Sequence, residues 1–222
     1  MPCNPSFKPV TVLAVLVIAT TLVQAQQRSA IAPDVVADSV AQYSGVQGKD
    51  GWHYGYWDRS GDSDNEYHQS SDFKVLKHFG ADTKNGLRGH EAFETGDLWY
   101  CEDGRFYTSL WARGGHANRT SRLGSMEVAE HWAVRRWISK VSGALTISGH
   151  AGKVMPWGAN WGGACQGLIV VDGKTVLSTV LDDQGIDYQV AIRVEKDSVI
   201  DFLVAPGPSV GVVEFTATIR KR

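Results

Sequence analysis

The segment 131–152 has the clearest alternation of hydrophobic and polar positions in this chain. In its first half, Trp132, Val134 and Ile138 fall on the same parity, and after a short turn at 141–143 the second half alternates in the same way. Successive side chains of a β-strand point to opposite sides of the sheet. The pattern therefore predicts a β-hairpin over 131–152.

Both sides of the first of these strands carry bulky side chains. Arg136 shares the parity of Val134, whereas Trp137 shares the parity of Arg135. A strand with one face in water would place polar residues on one parity only. We therefore expect protein to cover both faces of this strand.

Short alternating stretches recur along the rest of the chain. Trp52, Tyr54 and Tyr56 alternate in one of them, and the Asp-Gly pairs at 103–104 and 172–173 predict hairpin turns. Further strands are predicted at 38–43, 72–79, 98–101, 106–111, 168–181, 188–194, 199–204 and 213–220. No helical period of comparable length is present. The sequence therefore predicts an all-β fold, an antiparallel β-sandwich of the jelly-roll type.

The N-terminus has the pattern of a secretory signal peptide. Lys8 precedes an apolar run at 10–23, and Val23-Gln24-Ala25 follows as a cleavage sequence. The run is shorter than the roughly 20 apolar residues of a membrane span. We predict a signal peptide at 1–25, an exposed leader at 26–34 and a single β-sandwich domain at 35–222. The protein is expected to be secreted, periplasmic or held at the cell surface.

The charge balance bears on the partners of the chain. It has 22 Lys and Arg against 24 Asp and Glu, so nucleic acid and anionic membranes are poor candidate partners. Of its three cysteines, Cys101 and Cys165 lie outside the predicted signal peptide. In an oxidising compartment they could form a disulfide, stabilising the fold by roughly 3 to 4 kcal/mol. The alternative is a pair of separate buried thiols.

An acidic segment follows the aromatic run at 52–57. Oxygen-bearing side chains recur in it at nearly every second position, and Ca²⁺ prefers six to eight oxygen ligands. The candidate ligands are Asp58, Asp62, Asp64 and Glu66. The spacing differs from that of the EF-hand loop, and a merely solvated acidic segment is the alternative.

The mature chain contains no sequence motif that indicates a catalytic activity. It has neither G-x-S-x-G nor a P-loop nor HExxH, and the seven histidines show none of the close pairs typical of zinc sites. A glycosidase would need two carboxylates about 5 to 10 Å apart, for which the candidates are Glu91, Glu94, Glu102, Asp103, Glu127 and Glu130. A polysaccharide lyase could use Tyr107, His116, Arg113 and Arg119. Asn118-Arg119-Thr120 is an acceptor sequence for N-glycosylation.

Several motifs together resemble a known class of module. These are W-x-Y-G-Y, a WAVRRW strand followed by a Gly turn and L-T-I-S-G, a V-D-G-K hairpin, and I-D-F-L-V near the end. They are similar to the jelly-roll, carbohydrate-binding-module-like β-sandwich accessory modules of secreted bacterial carbohydrate-active and cell-surface proteins. The resemblance covers most of 35–222 and implies a non-catalytic glycan-binding or surface-interaction module. A polysaccharide lyase or glycosidase, and a structural envelope protein without a ligand, are the alternatives.

Two groups of aromatic residues are candidates for contacts to a polysaccharide or surface glycan. Sugar rings stack on Trp and Tyr, while their hydroxyl groups need polar partners. The preferred group comprises Trp157, Asn160 and Trp161 in a Gly-rich loop, and the second comprises Trp52, Tyr54, Tyr56 and Trp57. Because a strand buries every second side chain, the second group has a competing use in the core.

Overall fold

The structure is a computed structural model that describes residues 32, 34–80, 97–101, 108–123, 126–154, 164–208 and 212–222. Numbered along the chain, its strands are β1 (Val35–Asp38), β2 (Trp52–Asp58), β3 (Lys74–Val75), β4 (His78–Gly80), β5 (Leu98–Tyr100), β6 (Ser109–Leu110), β7 (Gly114–His116), β8 (Ser121–Leu123), β9 (Met126–Val128), β10 (His131–Ile138), β11 (Gly143–Lys153), β12 (Cys165–Val171), β13 (Lys174–Leu181), β14 (Ile186–Val194), β15 (Val199–Ala205), β16 (Val212–Phe215) and β17 (Thr218–Lys221). Short 3-10 helices span Lys49–Gly51 and Arg59–Gly61. None of the helices in these ranges is long and apolar enough to cross a membrane.

The predicted signal peptide at 1–25 lies outside the described residues. So does the predicted leader at 26–34, apart from residues 32 and 34. Both, and the single domain at 35–222, stay predictions.

Two large antiparallel sheets and a small two-stranded sheet make up the described part of the chain. Among the described residues, nine strands form one sheet in the order β1-β17-β11-β16-β7-β6-β5-β4, with β14 on the other edge of β11. Six strands form a second sheet in the order β13-β12-β15-β10-β2-β3, and β8 pairs with β9 separately. From β13 onward the chain alternates between the two large sheets through β14, β15 and β16. The predicted fold class, an all-β sandwich of the jelly-roll type, is confirmed.

The hairpin predicted over 131–152 is wrong, although both of its strands exist. β10 lies in the six-stranded sheet between β2 and β15, whereas β11 lies in the nine-stranded sheet. Alternation defines the two faces of a strand and says nothing of its neighbours. Because β2 and β15 occupy both edges of β10, none is left for β11, and the intervening turn carries the chain to the other sheet.

The main core lies between the two sheets. Large buried side chains from both sheets meet there, and the rings of Phe202 on β15 and Phe215 on β16 are 5.9 Å apart. On β2 and β10, Trp52 and Trp137 pack at 6.4 Å. Such aromatic pairs bury large apolar areas, which is the main stabilising term in a sandwich of this kind.

Both faces of β10 are covered, as predicted. On the inner face Arg135 is buried and donates hydrogen bonds to the backbone oxygens of Trp111, Gly114 and Phe215, and burial lowers the pKa of its guanidinium. On the outer face Val134 belongs to a smaller hydrophobic cluster beneath residues of the segment 62–73.

The other strand predictions are correct in part. The hairpin turn at 172–173 is confirmed, with left-handed backbone at Asp172 (φ 44°) and Gly173 (φ 79°) between β12 and β13. In the predicted strand 213–220 the alternate residues are buried, but the strand breaks at 216–217 into β16 and β17. The strand predicted at 38–43 is wrong, because the Asp38 carboxylate accepts hydrogen bonds from the next backbone amides and turns the chain there.

Candidate functional site

The aromatic run of β2 is part of the interior. Trp52 and Tyr54 are fully buried in the main core, where Tyr54 stacks on Trp99 at 5.7 Å. The indole nitrogen of Trp52 donates to the side-chain oxygen of Gln42 at 2.9 Å. These rings stabilise the sandwich and do not present a face to a ligand at the surface.

Trp57 and Tyr56 lie elsewhere on the same strand. Trp57 is buried on the outer face of the six-stranded sheet, 4.9 Å from the Trp132 ring, and its indole nitrogen donates to Asp62 at 3.0 Å. Tyr56 is half-buried, with its ring 4.5 Å from the His131 ring. The structure therefore uses the second group of candidate ligand contacts for packing, with Tyr56 alone partly exposed.

The preferred group, Trp157, Asn160 and Trp161, lies outside the described residues. Its role in ligand binding stays a prediction from the sequence.

The acidic segment after β2 uses its carboxylates in local contacts. Asp58 accepts from the backbone of Gly61 and from Lys74, each at 3.1 Å, and Asp62 accepts from Trp57. Asp64 accepts from the backbone of Glu66 and from His68, two contacts that lower the pKa of its carboxyl. Within the part of the chain that the structure describes, no three His, Cys, Asp or Glu side chains cluster as metal ligands. Calcium binding by Asp58, Asp62, Asp64 and Glu66 stays a prediction.

The segment 62–73 lies across the outer face of the six-stranded sheet, where a buried ion pair between Arg136 and Asp201 holds it. Asp201 is fully buried and makes two 2.8 Å hydrogen bonds with Arg136. Tyr67 donates to the same carboxylate at 2.8 Å and Gln69 at 2.9 Å, and Phe73 packs against the guanidinium at 4.0 Å. The position of Arg136 on an apolar parity was the only sequence signal of this network.

The predicted disulfide is absent from the structure. Cys165 is buried at the start of β12, and burial raises the pKa of its thiol, while half-buried Cys101 follows β5 beside Tyr56 on β2. Both cysteines are thiols in the structure.

Three of the enzyme candidates that the structure describes are buried or bonded to neighbouring side chains. His116 is buried in β7, and Arg113 is paired with Glu214. Glu130 accepts hydrogen bonds from Arg59 and Trp132. Tyr107, Glu91, Glu94, Glu102 and Asp103 lie outside the described residues.

The predicted glycosylation acceptor is buried. Asn118 pairs with His131 through backbone hydrogen bonds, and its side-chain nitrogen donates to the backbone oxygen of Ala129 at 2.7 Å. The acceptor nitrogen is therefore inaccessible in the folded chain.

An open pocket lies at the end of the six-stranded sheet where β12 begins and where β13 and β15 end. Its volume is about 380 Å³, and its walls are formed by Ala164, Cys165, Gln166, Ser178, Thr179, Val180, Pro206, Gly207 and Pro208. Register places Gln166 opposite Val180 on one side and Ala205 on the other. Because proline cannot donate to a sheet, the chain leaves β15 at Pro206 and forms the third wall.

The polar groups of the pocket are neutral. The Gln166 amide donates to the Ser178 hydroxyl at 3.0 Å, and both side chains are exposed. Val180 is 57% exposed beside them. The pocket therefore combines amide and hydroxyl groups with an apolar surface, and none of the described residues in its walls carries a charged side chain.

The chain matches no protein-family model, and no curated protein matches it. Among solved structures, it is similar to the tandem CBM51 modules of a family 98 glycoside hydrolase from Streptococcus pneumoniae, with 14% identity and a TM-score of 0.31 over 47% of this chain and 36% of that chain. It is also similar to the CBM22-1 xylan-binding domain from Paenibacillus barcinonensis Xyn10C, with 12% identity and a TM-score of 0.29 over 47% of this chain and 79% of that domain. Both are carbohydrate-binding modules, the class that the sequence resembles. Because both TM-scores are below 0.5, the function proposed next rests on the geometry of this chain.

Proposed function

We propose that this protein is a secreted, non-catalytic module that binds a neutral glycan in the pocket between β12, β13 and the segment 206–208. The observation that carries the proposal is the combination in one open pocket of neutral hydrogen-bonding groups and apolar surface. Its volume of about 380 Å³ lies in the range of small-molecule sites, roughly 300 to 1,000 Å³.

The chemistry of the walls favours a neutral sugar over an acidic one. A uronate or a phosphate is best bound by cationic side chains, and the described residues that line this pocket include none. Sugar hydroxyl groups both donate and accept, as do the Gln166 amide and the Ser178 hydroxyl. Val180 and Pro206 offer apolar surface to the C–H groups of a sugar ring.

The loop residues that the sequence predicts as ligand contacts lie close to the pocket residues in the chain. Ala164 lines the pocket, and Trp157, Asn160 and Trp161 precede it in the chain. As predicted from the sequence, their aromatic rings and amide are further candidate stacking and hydrogen-bonding partners of the sugar.

A glycan array probed with the purified chain tests the proposal, followed by calorimetric titration of any neutral oligosaccharide that binds. Replacing Gln166 with alanine should weaken binding by about 5- to 30-fold, since it removes hydrogen bonds worth about 1 to 2 kcal/mol. The melting temperature should stay unchanged, because the side chain is exposed.

Gln189→Ala is the matched control. Gln189 is an exposed glutamine on β14, in the other sheet, and its replacement should leave both binding and melting temperature unchanged. Absence of binding to every neutral glycan, or binding that Gln166→Ala leaves intact, would contradict the proposal. Release of reducing or unsaturated ends from a polysaccharide would instead support the enzyme hypotheses.

A further inference from the structure

The strand β13 is a long sheet edge without charged residues along most of its length. It forms one edge of the six-stranded sheet, and β12 is its strand neighbour among the described residues. From Thr175 to Leu181 it carries no charge, and Val176 and Val180 on its outer face are 36% and 57% exposed. An edge of this kind offers unpaired backbone groups to another strand.

Two edge strands of the other sheet, β14 and β1, differ from β13. β14 carries Asp187 and Arg193 with their side chains exposed, and β1 is flanked by an ion pair of Arg220 with Asp34 at 2.9 Å. Charged side chains are a common device that protects sheet edges from pairing. β13 has a charged residue only at its first position, Lys174, and none from Thr175 to Leu181.

The sequence of β13 is complementary to itself in the antiparallel direction. With Ser178 opposite Ser178 of a second copy, Val176 of each chain faces Val180 of the other on the outer face. On the inner face, Leu177 of each chain faces Thr179 of the other. A twofold axis requires this kind of self-complementary contact, and the apolar pairs directly across would stabilise it.

We propose that two copies of this protein form a twofold dimer by antiparallel pairing of their β13 strands, centred on Ser178. The two strands would join the six-stranded sheets of both copies into one continuous sheet. This interface shares Ser178 and Val180 with the walls of the proposed glycan pocket, so the dimer is tested by the mass of the chain and not by glycan binding.

Sedimentation equilibrium of the full chain over a range of concentrations tests the dimer. The wild type should reach twice the chain mass. The double variant Val176→Lys/Val180→Lys places lysines directly opposite each other twice, and it should weaken the dimer at least about tenfold. Circular dichroism should show an unchanged fold, because both valines are exposed.

A charge-swapped variant tests the register. Val176→Lys/Val180→Glu sets a lysine opposite a glutamate twice in the proposed pairing, so it should dimerise again, and added salt should weaken that dimer. Val46→Lys is the matched control, because Val46 is an exposed valine (61%) remote from β13 in sequence, and it should leave the dimer intact.

Three results would overturn the proposal: a wild type that stays monomeric, a dimer that survives the two lysines, and a charge-swapped variant that stays monomeric. Loss of glycan binding without a change in mass, by contrast, concerns only the proposed function.

Discussion

Arg136 on β10 and Asp201 on β15 are register partners, joined by two 2.8 Å hydrogen bonds on the outer face of the six-stranded sheet. Asp201 is fully buried, and Tyr67 and Gln69 complete the bonding of its carboxylate. This relationship holds the segment 62–73 over a face that would otherwise meet water. This part of the sheet is therefore covered by the chain itself.

Replacing Asp201 with alanine should reduce the free energy of unfolding by about 3 to 5 kcal/mol, because it leaves the mostly buried Arg136 guanidinium without its counter-ion. Chemical denaturation measures this difference. The control is Asp187→Ala, which removes an exposed 2.8 Å contact with His150 and should cost about 1 kcal/mol or less. Equal losses of unfolding free energy in the two variants would show that the buried pair contributes no more to stability than the exposed contact.

Truncation of the tryptophans should separate core from binding residues. Trp52→Ala should destabilise the fold by about 3 to 5 kcal/mol, since it opens a cavity in the core. Trp157→Ala and Trp161→Ala should leave the melting temperature almost unchanged and abolish glycan binding. Marked destabilisation with binding retained in the latter two variants would exclude them as ligand contacts.

The unfolding free energy should fall at alkaline pH. Burial raises the pKa of Tyr43, Tyr54, Tyr67 and Tyr188 above the ordinary value of 10.0. The folded state therefore holds protons that the unfolded state releases, so this stability is complete below pH 10.0 and is lost as the pH rises through the raised values. Phenolate absorbance and circular dichroism should change together in a pH titration. Ionisation of every tyrosine in a chain that still has its native spectrum would refute this.

Two thiols should be titratable in the denatured mature chain without reductant, because Cys101 and Cys165 are not joined in the structure. In the folded chain Cys165 should react slowly with a thiol reagent, since it is buried and its pKa is raised. The slowly reacting thiol should be missing in the Cys165→Ala variant, which assigns that reaction to Cys165. A denatured chain with no reactive thiol would restore the disulfide hypothesis.

The candidate site was only partly foreseeable from the sequence. Alternation in β2 left the use of Trp52 and Tyr54 open between core and ligand, and their burial follows from strands that pack on them from distant parts of the chain. The pocket had no local motif, because Gln166, Ser178 and Pro206 meet only once three strands have aligned. The sequence signal nearest to it was the preceding loop with Trp157 and Trp161.

The sequence by itself determined the all-β fold, the turn at 172–173 and the covering of both faces of β10. These features depend on the two-residue period of a strand and on the left-handed backbone that Asp-Gly accepts, which are local properties. Only the tertiary structure decided that β10 pairs with β2 and β15 and that Tyr67 bonds to Asp201, 134 positions away. Strand partners and buried polar contacts join residues far apart in the chain, and local periodicity carries no information about them.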